Sequence, residues 1–153
     1  MDIRAKLKSM GYELPKVAPP AANYVPYVIS GKTLFTAGQI PFLNGQTMHL
    51  GRLGETLTIE QGAEAARACA LNILAWADAA VEGDWSRVKR CVKLVGFVNC
   101  TPDFTDQPKV INGASDLIVG VMGDAGRHAR SAVASPSLPL GVSVEIEAIF
   151  ELA

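Results

Sequence analysis

Three ionisable side chains bracket a long uncharged run in the last quarter of the chain. Arg130 opens it, residues 131–144 carry no charge, and Glu145 and Glu147 follow inside an apolar stretch. A guanidinium is always charged, and its planar fork grips a carboxylate through two parallel hydrogen bonds. A carboxylate such as Glu145 can polarise a water or carry a proton. On residues alone two readings of Arg130 stay open: a ligand anchor, or a structural ion pair with Glu145 or Glu147. Glu145 is likewise a water-positioning acid or an exposed acid on a half-solvated strand. The segment reads as strand, loop and strand, folding back to bring Arg130 and Glu145 together, with Leu138-Pro139 at the bend.

Other chemistries have less support. The three cysteines, Cys69, Cys91 and Cys100, are odd in number and form no CxxC, which fits a reducing compartment. The two histidines, His49 and His128, stand far apart, and no Cys/His cluster has metal-ligand spacing, so no metal site is expected. A net charge of −1 without a strongly basic window argues against nucleic acid as a partner. Arg127, His128 and Arg130 read either as a phosphate site or as solvated loop. No window reaches the roughly 18 uncharged apolar residues of a membrane span. The first residues lack the apolar core of a secretory signal, so a cytoplasmic location is expected.

At 153 residues and 49% hydrophobic, the chain can bury one core, and it reads as one domain, 1–153, with 1–20 as an N-terminal extension. Residues 2–10 suit a short helix with Ile3, Leu7 and Met10 on one side. Prolines hold residues 15–26 extended. A hairpin spans 27–30 and 33–37, and 40–56 reads as loop with a turn at Asn44-Gly45. Thr58 and Gln61 form a capping box for a helix running to about residue 81. Residues 88–100 form a strand, with Val92, Leu94, Gly96 and Val98 on one face and Cys91, Lys93, Val95 and Phe97 on the other. Asp106 caps a second long helix, with Pro108 in its first turn and a buried stripe from Val110 to Met122. Two strands close the chain, roughly 130–135 and 142–152. In the last, Val142, Val144, Ile146, Ala148, Phe150 and Leu152 point inward, and Ser143, Glu145, Glu147, Ile149 and Glu151 point the other way. The order β-β-α-β-α-β-β is α+β, a mixed sheet with two helices on one face. The second face would expose Val95, Phe97 and Ile149, which implies an oligomer.

Four stretches resemble the YjgF (RidA) family: Tyr24 ahead of TAGQIP, the helix introduced by Gln61, VKLVGFVNCTPDF, and above all ARSAVASPSLPLGVSVEIEAIF. The resemblance spans about residues 20–152. It implies a chorismate-mutase-like fold and a homotrimer with ligand clefts between subunits. It further implies hydrolysis of reactive 2-imino or enamine acids to 2-oxo acids and ammonia, with no cofactor. The partner implied is a small carboxylate-bearing metabolite. By the same register Arg130 matches the family's carboxylate anchor and Glu145 the glutamate beside the attacking water. Tyr24, Gly38 and Asn112 match ligand-contacting positions, and the backbone at Ala132 holds the imine. Ala37 stands where the family has a serine, and Ala132 where it commonly has a cysteine. With the N-terminal extension and the longer stretch between Phe104 and Arg130, these departures mark a subgroup apart from the best-studied deaminases. A non-catalytic carboxylate-binding trimer is the alternative. The family's endoribonuclease label sits poorly with the balanced charge.

Overall fold

The computed structural model describes residues 1–17 and 23–153. Thr58 begins the element that organises the fold, α2 (Ile59–Ala80). Its hydroxyl accepts from the Gln61 amide while the Gln61 side chain accepts from the Thr58 amide, so two of the free amides at this helix end are satisfied. Behind that cap Ala66, Cys69, Ala70, Ile73, Leu74 and Ala77 are all buried. Small side chains on this stripe let α3 (Gln107–Met122) approach closely. A Cβ on Gly113 of α3 would lie 2.0 Å from the Ala63 carbonyl oxygen of α2.

Both helices cover one face of a five-stranded sheet, ordered β1 (Tyr27–Ser30), β2 (Thr33–Thr36), β7 (Val144–Leu152), β5 (Val88–Asn99) and β6 (Ala129–Ser135). Strands β5 and β6 run parallel with α3 as their crossover, and the other pairs are antiparallel. The sheet is thus mixed, as the element order implies. The core lies between sheet and helices, with Leu34, Leu94, Ile146 and Phe150 meeting Ile73, Leu74, Ile111 and Ile118, all fully buried. Each such side chain contributes about 1.5–3 kcal/mol on leaving water.

A third helix, α1 (Ile3–Ser9), joins the same layer. Its Ile3 and Leu7 enter the core, as the helical spacing predicts. Arg4 pairs with the nearly buried Asp78 of α2, which also accepts from the Trp85 indole at 2.8 Å. The N-terminal residues therefore form part of the packed layer.

Three local expectations need correction. The loop 40–56 contains a small hairpin, β3 (Phe42–Leu43) and β4 (Gln46–Thr47), closed by Asn44 and Gly45, both at positive φ. On β5 the faces of Cys91 and Val92 are exchanged: Cys91 is fully buried and Val92 is 40% exposed. The cause is an extra residue between Cys91 and Lys93 in the pairing with β7, a bulge that resets the alternation. Asp106 stands at the start of α3 without capping it; its carboxylate instead lies 3.4 Å from the Lys109 ammonium.

The second face of the sheet is not covered by the chain's own helices and carries apolar side chains among charged ones. Val28, Phe35 and Val133 are exposed there, and Val95, Phe97 and Ile149 are half-buried. Among the described residues no helix is long and apolar enough to cross a membrane.

Candidate functional site

Strand pairing fixes where each candidate side chain points. Arg130 pairs with Leu94, and Leu94 with Ala148, so these three share the helix-covered face. Glu145 pairs with Phe97, and Phe97 with Val133, which places Glu145 on the open face. Strand β5 also separates β6 from β7. Within one chain, Arg130 and Glu145 are therefore not brought together, contrary to the expectation of a simple fold-back.

Arg130 sits on the edge strand beside the first turns of α3. Its Nη1 donates to Asn112 Oδ1 at 2.8 Å and to Ser115 Oγ at 3.2 Å. Nη2 makes one long contact, 3.5 Å, to the Pro108 carbonyl. No hydrogen bond engages Nε among the described residues, and no acid pairs with the guanidinium there. The Nε–Nη2 edge is thus held in place and left open, the geometry a carboxylate needs. The ion pairs with Glu145 or Glu147 considered from sequence are absent from this chain's described residues. Asn112, a ligand-contacting position by the resemblance, here accepts from the arginine through its amide oxygen.

Ser115 and His128 are members of this cluster that the sequence reading did not assign to the site. A guanidinium only donates, so Ser115 accepts from Arg130 and its own hydrogen is free for His128 Nε2, 2.9 Å away. His128 Nδ1 lies 2.7 Å from the Gly126 carbonyl, which only accepts, so Nδ1 carries a proton. Gly126, His128, Ser115 and Arg130 thus form one chain of hydrogen bonds. Ser115 lies three residues after Asn112 on the same helix flank, a spacing that would have revealed it.

The second cluster occupies the open face. Thr33, Leu34 and Phe35 pair regularly with β7, but Gln39 pairs with Ile146, so one residue is extra on the β2 side around Gly38. At this bulge the Thr36 hydroxyl takes the Ala148 amide at 2.9 Å in place of a ladder bond. Gly38 then lies against the Glu145 side chain: a Cβ there would meet its carboxyl carbon at 3.0 Å. Burial, followed by the like charge of Glu147, pushes the Glu145 carboxyl above the usual carboxylate range. Glu145 has no salt-bridge partner among the described residues, so no cation offsets these effects. The segment before β1 runs beside Ala37, whose amide donates to the Pro26 carbonyl at 2.8 Å, and carries Tyr24, 62% exposed. Ala132 pairs with Gly96 on the helix-covered face of β6 and packs against the core.

The candidate residues therefore do not form one group. Arg130, Asn112 and Ala132 belong to the edge strand and α3, Gly38 and Glu145 meet at the open face, and Tyr24 lies in the exposed segment before β1.

This architecture has known relatives. Residues 4–152 match a family model described as "YjgF/chorismate_mutase-like, putative endoribonuclease". Protein TCP17 of Trypanosoma cruzi is 50% identical over 151 residues, covering 98% of this chain and 94% of its own. The solved structure of protein Atu1372 from Agrobacterium tumefaciens is 46% identical, superposes with a TM-score of 0.93, and the match covers 99% of this chain and 94% of that one. The structure of E. coli TdcF with bound serine is more distant, 25% identical with a TM-score of 0.62, covering 91% of this chain and 93% of that one. With nearly its whole length matched, the chain belongs to the YjgF/chorismate-mutase-like family.

Proposed function

We propose that this protein hydrolyses reactive 2-imino or enamine acids to 2-oxo acids and ammonia, in a cleft that two copies of the chain build together. The observation that carries the reading is Arg130, buttressed through Nη1 with its Nε–Nη2 edge open. A 2-imino acid bears its carboxylate on the carbon next to the reacting one, so gripping the carboxylate also aims the C=N bond. The serine bound in TdcF, an amino acid with the same carboxylate, supports a ligand of this size.

Water adds to the carbon of the protonated imine and gives its proton to Glu145, which leaves a neutral carbinolamine. Glu145 passes that proton to the nitrogen, the C–N bond breaks as the hydroxyl becomes a carbonyl, and the hydroxyl proton leaves with ammonia as ammonium, releasing the 2-oxo acid. A carboxylate with a raised proton affinity suits both transfers better than an ordinary exposed one. Gly38 leaves the space beside Glu145 that a side chain would fill. The second copy supplies Glu145 and Gly38 to the Arg130 of the first, and a trimer closes this head-to-tail arrangement while covering the open sheet face.

The test is ammonia release from an imine generated in place by an amino-acid oxidase. Acceleration that disappears in Arg130→Ala supports the reading, and an unaccelerated decay contradicts it. Binding without turnover is the second reading. It is favoured by Ala37 and Ala132, which remove a hydroxyl and a thiol from the neighbourhood of the cleft.

A further inference from the structure

The recess that Arg130 shares with His128 holds more positive charge than one carboxylate uses. It lies between the flank of α3 and the turn entering β6, has a volume of about 300 Å³, and is lined by Asn112, Ser115, Val119, Arg127, His128 and Arg130. Two guanidiniums line it and no carboxylate does. Arg130 keeps its Nε–Nη2 edge open, as described. The ion pair of Arg127 among the described residues runs from Nε to Asp124 Oδ1, 3.6 Å, between side chains 77% and 100% exposed. Such a surface pair is readily given up to a better-placed anion.

The backbone that presents Arg127 is nevertheless fixed. Its amide donates to the Asp124 carbonyl at 3.2 Å, and its own carbonyl accepts from Arg90 Nη2 at 3.1 Å. His128, the next residue, is held from both ring nitrogens by Gly126 and Ser115. An exposed arginine on an anchored backbone, next to a second arginine with an open edge, matches a ligand with two acidic ends. An aliphatic side chain would draw Arg127 out of water without giving it a partner.

We propose that this recess is a second-anion subsite. Arg130 takes the 2-carboxylate, and Arg127, beside His128, takes another acidic group at the far end of the same ligand. The preferred substrates are then dianionic 2-imino acids, the second group being a carboxylate or a phosphate-like oxyanion. This rests on the reading of Arg130 as the carboxylate anchor.

Calorimetric titration at low salt tests it with stable product-like probes. 2-Oxoglutarate and 2-oxopentanoate share a five-carbon chain and differ in the second carboxylate. A 2-oxo acid ending in a phosphonate shows which oxyanion fits better. The wild-type protein should prefer a diacid by about tenfold or more, as expected for an added charge-assisted pair. In Arg127→Ala and Arg127→Gln that ratio should fall close to one. A wild-type ratio near one, with binding lost in Arg130→Ala, overturns the subsite and leaves the anchor standing. A preference that survives both Arg127 substitutions overturns it as well. If Arg130→Ala binds every probe as the wild type does, the anchor fails and the subsite with it.

Discussion

Arg130 and Glu145 lie on opposite faces of one sheet, on strands separated by β5. A single chain therefore cannot present both to one small ligand. What it does present is an arginine held through Nη1 with its Nε–Nη2 edge open, and a half-buried acid beside a glycine. On the proposed reading, a second copy that covers the open face and meets the β6 edge brings the two together.

Removing the anchor should weaken binding of any 2-oxo or 2-imino acid. Arg130→Ala loses a bidentate charge-assisted pair, roughly 1.5–3 kcal/mol, or about 10- to 100-fold in affinity. Arg130→Lys keeps the charge but not the fork and should recover little of it. Titration of a 2-oxo acid into each variant measures this. Wild-type affinity in Arg130→Ala would contradict the assignment.

Asn112 and Ser115 hold the guanidinium and, in this account, need not touch the ligand. Asn112→Ala and Ser115→Ala should therefore raise KM more than they lower kcat, and Asn112→Asp should tighten the arginine while blocking an incoming anion. Steady-state rates of ammonia release separate these effects. A fall in kcat at constant KM would place these residues at the reacting atoms instead.

Glu145 acts as a base only when ionised, and burial and then Glu147 raise its proton affinity. Activity should thus rise with pH through the midpoint at which Glu145 ionises. Glu147→Gln removes the smaller cause and should move that midpoint to lower pH without restoring the ordinary value. Glu145→Gln should cut kcat by about 10²–10⁴-fold. The stability sign is opposite to that of a salt-bridged acid. A proton affinity higher in the fold than in the unfolded chain favours the fold below the unfolded value, and that contribution is lost as pH rises through the folded one. At neutral pH the Glu145→Gln chain, kept monomeric by dilution, should therefore melt above the wild type, and the gap should close in acid.

Gly113 marks the closest approach of α2 and α3. Gly113→Ala places a methyl group against the Ala63 carbonyl and should destabilise by at least about 1–3 kcal/mol, the usual cost of overpacking. Urea denaturation checks it. An unchanged midpoint would mean the helices part without cost.

Much of the fold was legible because its signals are local. The Thr58–Gln61 cap, the alanine stripe of α2 and the alternation of β7 each depend on neighbours in sequence, and each appears where expected. What escaped depends on partners far along the chain. The Cys91–Val92 exchange follows from a bulge set by pairing with β7. The facing of Arg130 and Glu145 depends on β5 lying between their strands, which no spacing within 129–150 reveals. Asn112 beside Arg130, and Gly38 beside Glu145, were legible through the resemblance alone. Ser115 was missed although its spacing from Asn112 points to it, and His128, read with Arg127 and Arg130 as a phosphate site or solvated loop, joins the Arg130 cluster only once α3 and the turn into β6 are side by side.

Subunit complementation asks whether Arg130 of one copy and Glu145 of another act in one cleft. Arg130→Ala and Glu145→Gln each destroy one half-site and should be inactive alone. When the two are mixed and allowed to exchange subunits, some clefts combine an intact arginine from one copy with an intact glutamate from the next. Random assembly of a cyclic trimer from equal amounts restores about a quarter of the clefts, so ammonia release should return to about a quarter of the wild-type rate. No recovery, with subunit exchange verified by mass, would show that the two residues do not act in one shared site.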